Sequence, residues 1–188
     1  MTIAIQTSPG GGTLAGTQVV NAVGGIATFS GLWIDKAGSN YTLLASSGSL
    51  SSATSASFAI SPAAASRFRF TDLPALVELD RVLAPAVKVT ILDAFDNVVP
   101  TGTVALAIGS NPGGALLSGT LSAAAVNGVA TFADLQFDRT GLGYTIVAST
   151  GGVNSESQFF DVFAWTMVSS GGTHTCGVVA PAGAAYCW

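Results

Sequence analysis

The sequence predicts an all-β protein assembled from antiparallel β-sandwich modules. Three observations carry that prediction: apolar residues alternate with a period of two in short runs, turn residues punctuate those runs, and a segment of about 100 residues occurs twice. No segment has helical periodicity. The chain has 188 residues, of which only six are Lys or Arg and ten are Asp or Glu, against 23 glycines. A mean hydropathy of +0.57 raises the question of a membrane span. No run of about 18 consecutive apolar residues exists, which excludes a spanning helix. Low charge combined with recurrent Val, Ile, Leu and Phe excludes intrinsic disorder. The cations Lys36, Arg67, Arg69, Arg81, Lys88 and Arg139 are scattered along a chain of net charge -4. Nucleic-acid binding needs a basic stripe and is therefore not expected.

The elements follow in chain order. Phe68 and Phe70 alternate with Arg67 and Arg69, and Val87, Val89 and Ile91 alternate with Lys88 and Thr90. Val104, Leu106 and Ile108 alternate with alanines, Tyr144, Ile146 and Ala148 share one face, and Phe160 and Val162 close the set. Each run reads as a half-buried strand. Turns stand between them at Asp96-Asn97, Asn111-Pro112-Gly113-Gly114, Asn127-Gly128 and Thr150-Gly151-Gly152. About seven short strands in about 100 residues suit a Greek-key or immunoglobulin-like sandwich.

The repeat has an offset of 103. Pro9-Gly10-Gly11 matches Pro112-Gly113-Gly114, Gly25-Ile26-Ala27-Thr28-Phe29 matches Gly128-Val129-Ala130-Thr131-Phe132, and Tyr41-Thr42 matches Tyr144-Thr145. One residue is dropped after Gly48/Gly151, and Phe58-Ala59-Ile60 then falls on Phe160-Asp161-Val162. This divides the chain into a partial module over 1–60, a linker over 61–66, a complete module over 67–162 and a distinct tail over 163–188. Met1 aligns with Val104, so the first copy is expected to lack its opening strands, with the natural protein starting further upstream. Tyr41 and Tyr144 each follow Leu-x-x-Asp-x-x-Gly-x-x and open an alternating strand. That is the placement of a structural tyrosine corner, in which the ring is core and the hydroxyl satisfies backbone.

The run from Pro85 to Val99, with Asn111-Pro112-Gly113-Gly114 and Gly128-Val129-Ala130-Thr131-Phe132, resembles the tandem bacterial immunoglobulin-like repeats of large secreted and surface proteins of the adhesin and invasin type. The resemblance implies stalk and adhesive roles. Asp96 stands where the usual pattern has Gly, a change expected to touch only the turn.

In the tail, Trp165-x-x-Val168-x-x-Gly171-Gly172-x-His174-Thr175-Cys176-Gly177-Val178 and Ala185-Tyr186-Cys187-Trp188 resemble the repeats of the regulator of chromosome condensation family, whose blades build a β-propeller. This implies a C-terminal β-hairpin from an incomplete propeller blade, loosely docked because a single blade has no neighbour to pack on. Nucleotide exchange and chromatin binding do not carry over, since the residues for them are absent.

Candidate chemistry is sparse. Cys176 and Cys187 lie 11 positions apart on adjacent strands of one expected hairpin, and read as a cross-strand disulfide or as free structural thiols. His174 and Cys176 share a strand face, but a metal or a Cys/His nucleophile lacks further ligands, because the chain holds one His and two Cys in all. Asp93/Asp96 and Asp134/Asp138 are the carboxylate pairs available for sugar hydrolysis, and both pairs occupy turns or strand ends. Asp93, Asp96 and Asn97 also supply three oxygens within five residues, a calcium reading without the spacing of a full loop. Asn40-Tyr41-Thr42 fits a glycosylation sequon. The expectation is a non-enzymatic structural or adhesive spacer of a secreted or cell-surface bacterial protein. It presents a downstream propeller and has no catalytic residues, no cofactor, no metal site and no membrane insertion. Its partners are neighbouring repeats of the same polypeptide, with a protein or glycan ligand as the alternative. Service as an accessory domain of an extracellular hydrolase is a further alternative.

Overall fold

The computed structural model describes residues 1–187 and is all-β, with no helix among them. Trp188, the last residue of the tail motif, lies outside the described residues. Two compact units emerge. Unit 1 takes Met1–Ala64 together with Asp93–Asn97, and unit 2 takes Ala65–Leu92 and Val98 onward.

Unit 1 contains β1 (Thr2–Thr7), β2 (Leu14–Ala15), β3 (Trp33–Ile34), β4 (Gly38–Ser47), β5 (Leu50–Thr54) and β6 (Phe58–Ile60). Its main sheet runs β1-β4-β5 with β6 also on β4, and β2 pairs with β3. All of these pairings are antiparallel.

Unit 2 follows with β7 (Arg67–Thr71), β8 (Leu76–Glu78), β9 (Val87–Leu92), β10 (Thr103–Ile108), β11 (Leu117–Ser118), β12 (Ser122–Ala124) and β13 (Val129–Phe132). It continues with β14 (Gln136–Phe137), β15 (Gly141–Tyr144), β16 (Ile146–Thr150), β17 (Val153–Glu156), β18 (Phe160–Ser170), β19 (Thr175–Ala180) and β20 (Ala184–Cys187). The sheets run β12-β10-β16-β17, β13-β9-β7, β11-β14 and β15-β18-β19-β20. β8 joins β18 in the parallel sense, with Val77 opposite Val162. The period-two pattern explains the burial: Val87, Val89 and Ile91 of β9 and Val104 and Leu106 of β10 enter one core cluster with Phe132, Phe137, Ile146 and Phe160. Each such aromatic or branched side chain contributes roughly 1.5–3 kcal/mol by leaving water.

The sequence repeat is also a repeat of backbone pairing. Ile3 faces Ala45 as Leu106 faces Ala148, Ile5 faces Leu43 as Ile108 faces Ile146, and Leu14 faces Ile34 as Leu117 faces Phe137. Gly16 and Gly119 hold φ of 101° and 105°, and a Cβ there would come within 2.2 and 2.4 Å of the carbonyl oxygens of Gly31 and Asp134. Only glycine serves at either place.

Two features depart from the sequence reading. Ile26–Phe29 has the same motif as β13 but forms no strand, only the isolated bridge Val23–Ile26. The change of composition after Val162 falls inside β18, an eleven-residue strand that pairs with β15 and β8 at its start and with β19 at its end.

Candidate functional site

The polar residues that sequence spacing offers for chemistry sit mostly at turns, where backbone donors claim them. β9 ends at Leu92 and the chain turns through Asp93–Asn97. Asp93 N–H donates to the Asn97 carbonyl at 3.0 Å, and Asp96 takes a φ of 65°, which Asp tolerates better than most residues. The Asp93 carboxylate has no exposed surface. It accepts N–H bonds from Phe95 at 2.8 Å, from the Asn97 backbone and side chain at 2.9 Å each, and from Ala63 at 2.9 Å. Burial alone would raise its pKa. The Asn97 side chain and the Ala63, Asn97 and Phe95 backbone N–H groups outweigh that effect and hold it at about 2. Those four donors occupy the oxygens that a calcium ion would need. Asn97 itself accepts from the Ala37 N–H at 2.9 Å and donates to the Asp35 carbonyl at 2.8 Å. Phe95 stacks obliquely on Trp33, with ring centroids 5.3 Å apart.

Asp134 and Asp138 are likewise separate turn acceptors. Thr120 gives Asp134 its N–H at 2.9 Å and its hydroxyl at 2.8 Å, and these bonds lower the Asp134 pKa. Asp138 accepts the Leu116 N–H at 2.6 Å, as Asp35 accepts the Thr13 N–H at 2.6 Å in unit 1.

Tyr41 and Tyr144 are fully buried. The Tyr41 hydroxyl donates to the Lys36 carbonyl at 3.0 Å, and that of Tyr144 lies 3.2 Å from the Arg139 carbonyl and 3.3 Å from that of Thr140. Burial pushes the Tyr144 phenol above its ordinary value. Each ring stacks at 6.2 Å on the aromatic residue facing it across its sheet, Phe58 or Phe160. Both tyrosines serve packing and backbone. The sequon residue Asn40 is exposed with a φ of 67°, one position before its tyrosine.

Cys176 and Cys187 face each other across β19 and β20 and are joined in a disulfide, with a Cα–Cα distance of 4.1 Å. The sulfur of Cys176 is thereby removed from any nucleophilic or metal-binding use, and His174 is exposed with its carbonyl accepting the Gly171 N–H at 2.7 Å. No group of three or more His, Cys, Asp or Glu that could hold a metal stands among the described residues.

Spacing gave no sign of the clefts in unit 2, two of which have aromatic walls. One, of about 450 Å³, opens between the edge strands β7 and β17 and is lined by Phe68, Arg69, Phe70, Asp72, Glu156, Gln158 and Phe159, among others. The Phe68 N–H donates to the Ser155 hydroxyl at 2.9 Å and ties the two edges together. Asp72 is paired with Lys88 at 2.8 Å and Glu156 accepts the Thr145 hydroxyl, while Phe159 stays 72% exposed. Residues 69 and 156 are far apart in sequence, so only the sheet edges bring them together. The other cleft, of about 250 Å³, is wholly apolar, with Leu76, Phe163, Trp165, Val179 and Tyr186 as its walls. Trp165 meets Phe163 and Tyr186 edge to face at 5.6 and 6.4 Å.

No protein-family model matches the chain. No curated protein matches it either.

Proposed function

We infer that the chain is a non-enzymatic structural and adhesive spacer of a secreted or cell-surface bacterial protein. In this reading the two copies are immunoglobulin-like Greek-key sandwich modules, and β18–β20 is the opening hairpin of a propeller blade. One observation carries it: the repeated half-module keeps the same strand register, the same buried tyrosine and the same turn carboxylate in both units, Asp35 and Asp138 included. Residues maintained twice for backbone satisfaction suit a stacking element better than a reaction centre. The Cys176–Cys187 disulfide is consistent with an oxidising, extracellular setting.

The test displays the full chain between a cell-surface anchor and an epitope tag. A spacer raises antibody access to the tag above that of a direct anchor–tag fusion, and equal access overturns the reading. The β7/β17 cleft favours a second reading, direct glycan binding. The exposed Phe159 ring offers a flat apolar face beside Arg69, Glu156 and Gln158, which offer donors and acceptors for hydroxyls. Titration of the full chain with maltose, cellobiose and lactose, alongside Phe159→Ala, decides it. Saturable binding lost in the variant supports the glycan site, and no saturable binding counts against it.

A further inference from the structure

The repeat supplies an internal comparison for the cleft between β7 and β17. Ser157 and its counterpart Ser55 clasp the chain in the same way: each hydroxyl accepts an N–H, from Ile146 at 2.9 Å or from Leu43 at 3.0 Å, and donates to the next carbonyl at 2.8 Å. Each serine N–H also donates to the carbonyl of that same Ile146 or Leu43 at 2.8 Å. The residues around the serine differ. Unit 1 has Thr54, Ala56 and Ser57, whereas unit 2 has Glu156, Gln158 and Phe159, all three of which line the cleft of about 450 Å³. The clasp forms with short side chains, so the fold does not call for the long ones. A phenylalanine ring left 72% exposed adds little to the core either.

The charges of the cleft are sorted by edge. Asp72 is balanced by Lys88 at 2.8 Å. Arg69, on β7, takes no ion pair among the described residues. Glu156, on β17, is anchored by the Thr145 hydroxyl, which leaves its second oxygen for another donor. Arg69 and Glu156 therefore line one cleft from opposite edges without neutralising each other. We propose that this cleft takes a hexuronate, a sugar ring carrying one carboxylate. A guanidinium fork grips a carboxylate through two parallel N–H bonds, so the acid end lies against Arg69. Ring hydroxyls then reach Glu156 and Gln158 on the far edge, and the C–H face of the ring covers Phe159. The separation of charge fixes the orientation, because the reverse pose sets the carboxylate against Glu156. The proposal rests on the glycan reading of this cleft and adds the acidic class to it.

The experiment titrates the full chain with cellobiose and with cellobiouronic acid, in which one hydroxymethyl group of cellobiose is oxidised to a carboxylate. The acid is expected to bind about tenfold more tightly at low salt. Added salt should shrink that margin, because the cleft is open to solvent. Arg69→Gln should bring the two sugars within about twofold of each other, since the charge is gone. Arg69 is exposed on an edge strand, and unchanged amide exchange in its neighbour β9 certifies the fold of the variant. Gln158→Glu, which leaves Arg69 in place, should cut the margin of the acid about threefold by like-charge repulsion. Equal affinity of the two sugars for the unmodified chain, or a margin that survives Arg69→Gln, overturns the hexuronate assignment and leaves the glycan reading standing. Binding of neither sugar overturns both.

Discussion

Unit 1 and the second half of unit 2 share a repeated motif and pair their strands in the same register, yet Tyr41 and Tyr144 are equally buried while Phe29 is half-buried and Phe132 is fully enclosed. The difference separates two kinds of stabilisation. Turn carboxylates, buried hydroxyls and glycine turns are local, and they survive wherever the motif occurs. Core burial is not local, because it needs β9 and its neighbours on the opposite side.

The largest effect should come from Phe132→Ala against Phe29→Ala. Removing a fully buried aromatic costs about 3–5 kcal/mol. Chemical denaturation should therefore show a large loss in unit 2 for Phe132→Ala and a loss of no more than about 1–2 kcal/mol in unit 1 for Phe29→Ala, whose ring is already part exposed. Equal losses would break the contrast and mean that unit 1 is closed in solution.

Acid comes next. The Asp93 pKa is lowered from 3.8 to about 2 in the folded chain, so its ionised form contributes about 2 kcal/mol that is fully present above pH 4 and is lost as pH falls towards 2. Asp93→Asn should remove that acid-labile part. The measurement is unit 1 stability, read by amide exchange across this range, and a wild-type slope identical to that of the variant would contradict the assignment.

The smallest effect sharpens what the two units share. Tyr41→Phe and Tyr144→Phe each remove a buried hydroxyl donor from a carbonyl, at a cost of about 1 kcal/mol. Thermal unfolding should register near-equal losses. A clearly larger loss for Tyr144→Phe would mean that the buried tyrosine draws its worth from the enclosed core.

Much of this was legible in the residues. Alternation at Val87–Ile91 and Val104–Ile108, the turns at Asn127-Gly128 and Gly151-Gly152, and the tyrosine positions are local signals, and they mark strands and turns in the structure. What escaped is what depends on a distant partner. Ile26–Phe29 and Val129–Phe132 share a motif, and only the presence of β9 makes one of them a strand. Asp93 reads as one oxygen of a cation loop until Ala63, 30 residues away, and Asn97 fill its lone pairs. The β7/β17 cleft joins residues from the two ends of a module, so no spacing announces it. The break at Val162 is a change of composition, and a strand continues through it because pairing with β8 and then β19 does not depend on which residues face outward.

β18 has a mechanical meaning. Its first residues sit between β15 and the parallel strand β8, with Phe160 and Val162 at 2% and 0% exposure, while its last residues carry the hairpin. Tension applied from the tail would run along this strand. The hydrogen bonds to β8 and β15 stand across that direction, so they would be loaded in shear, all together, instead of being peeled one at a time.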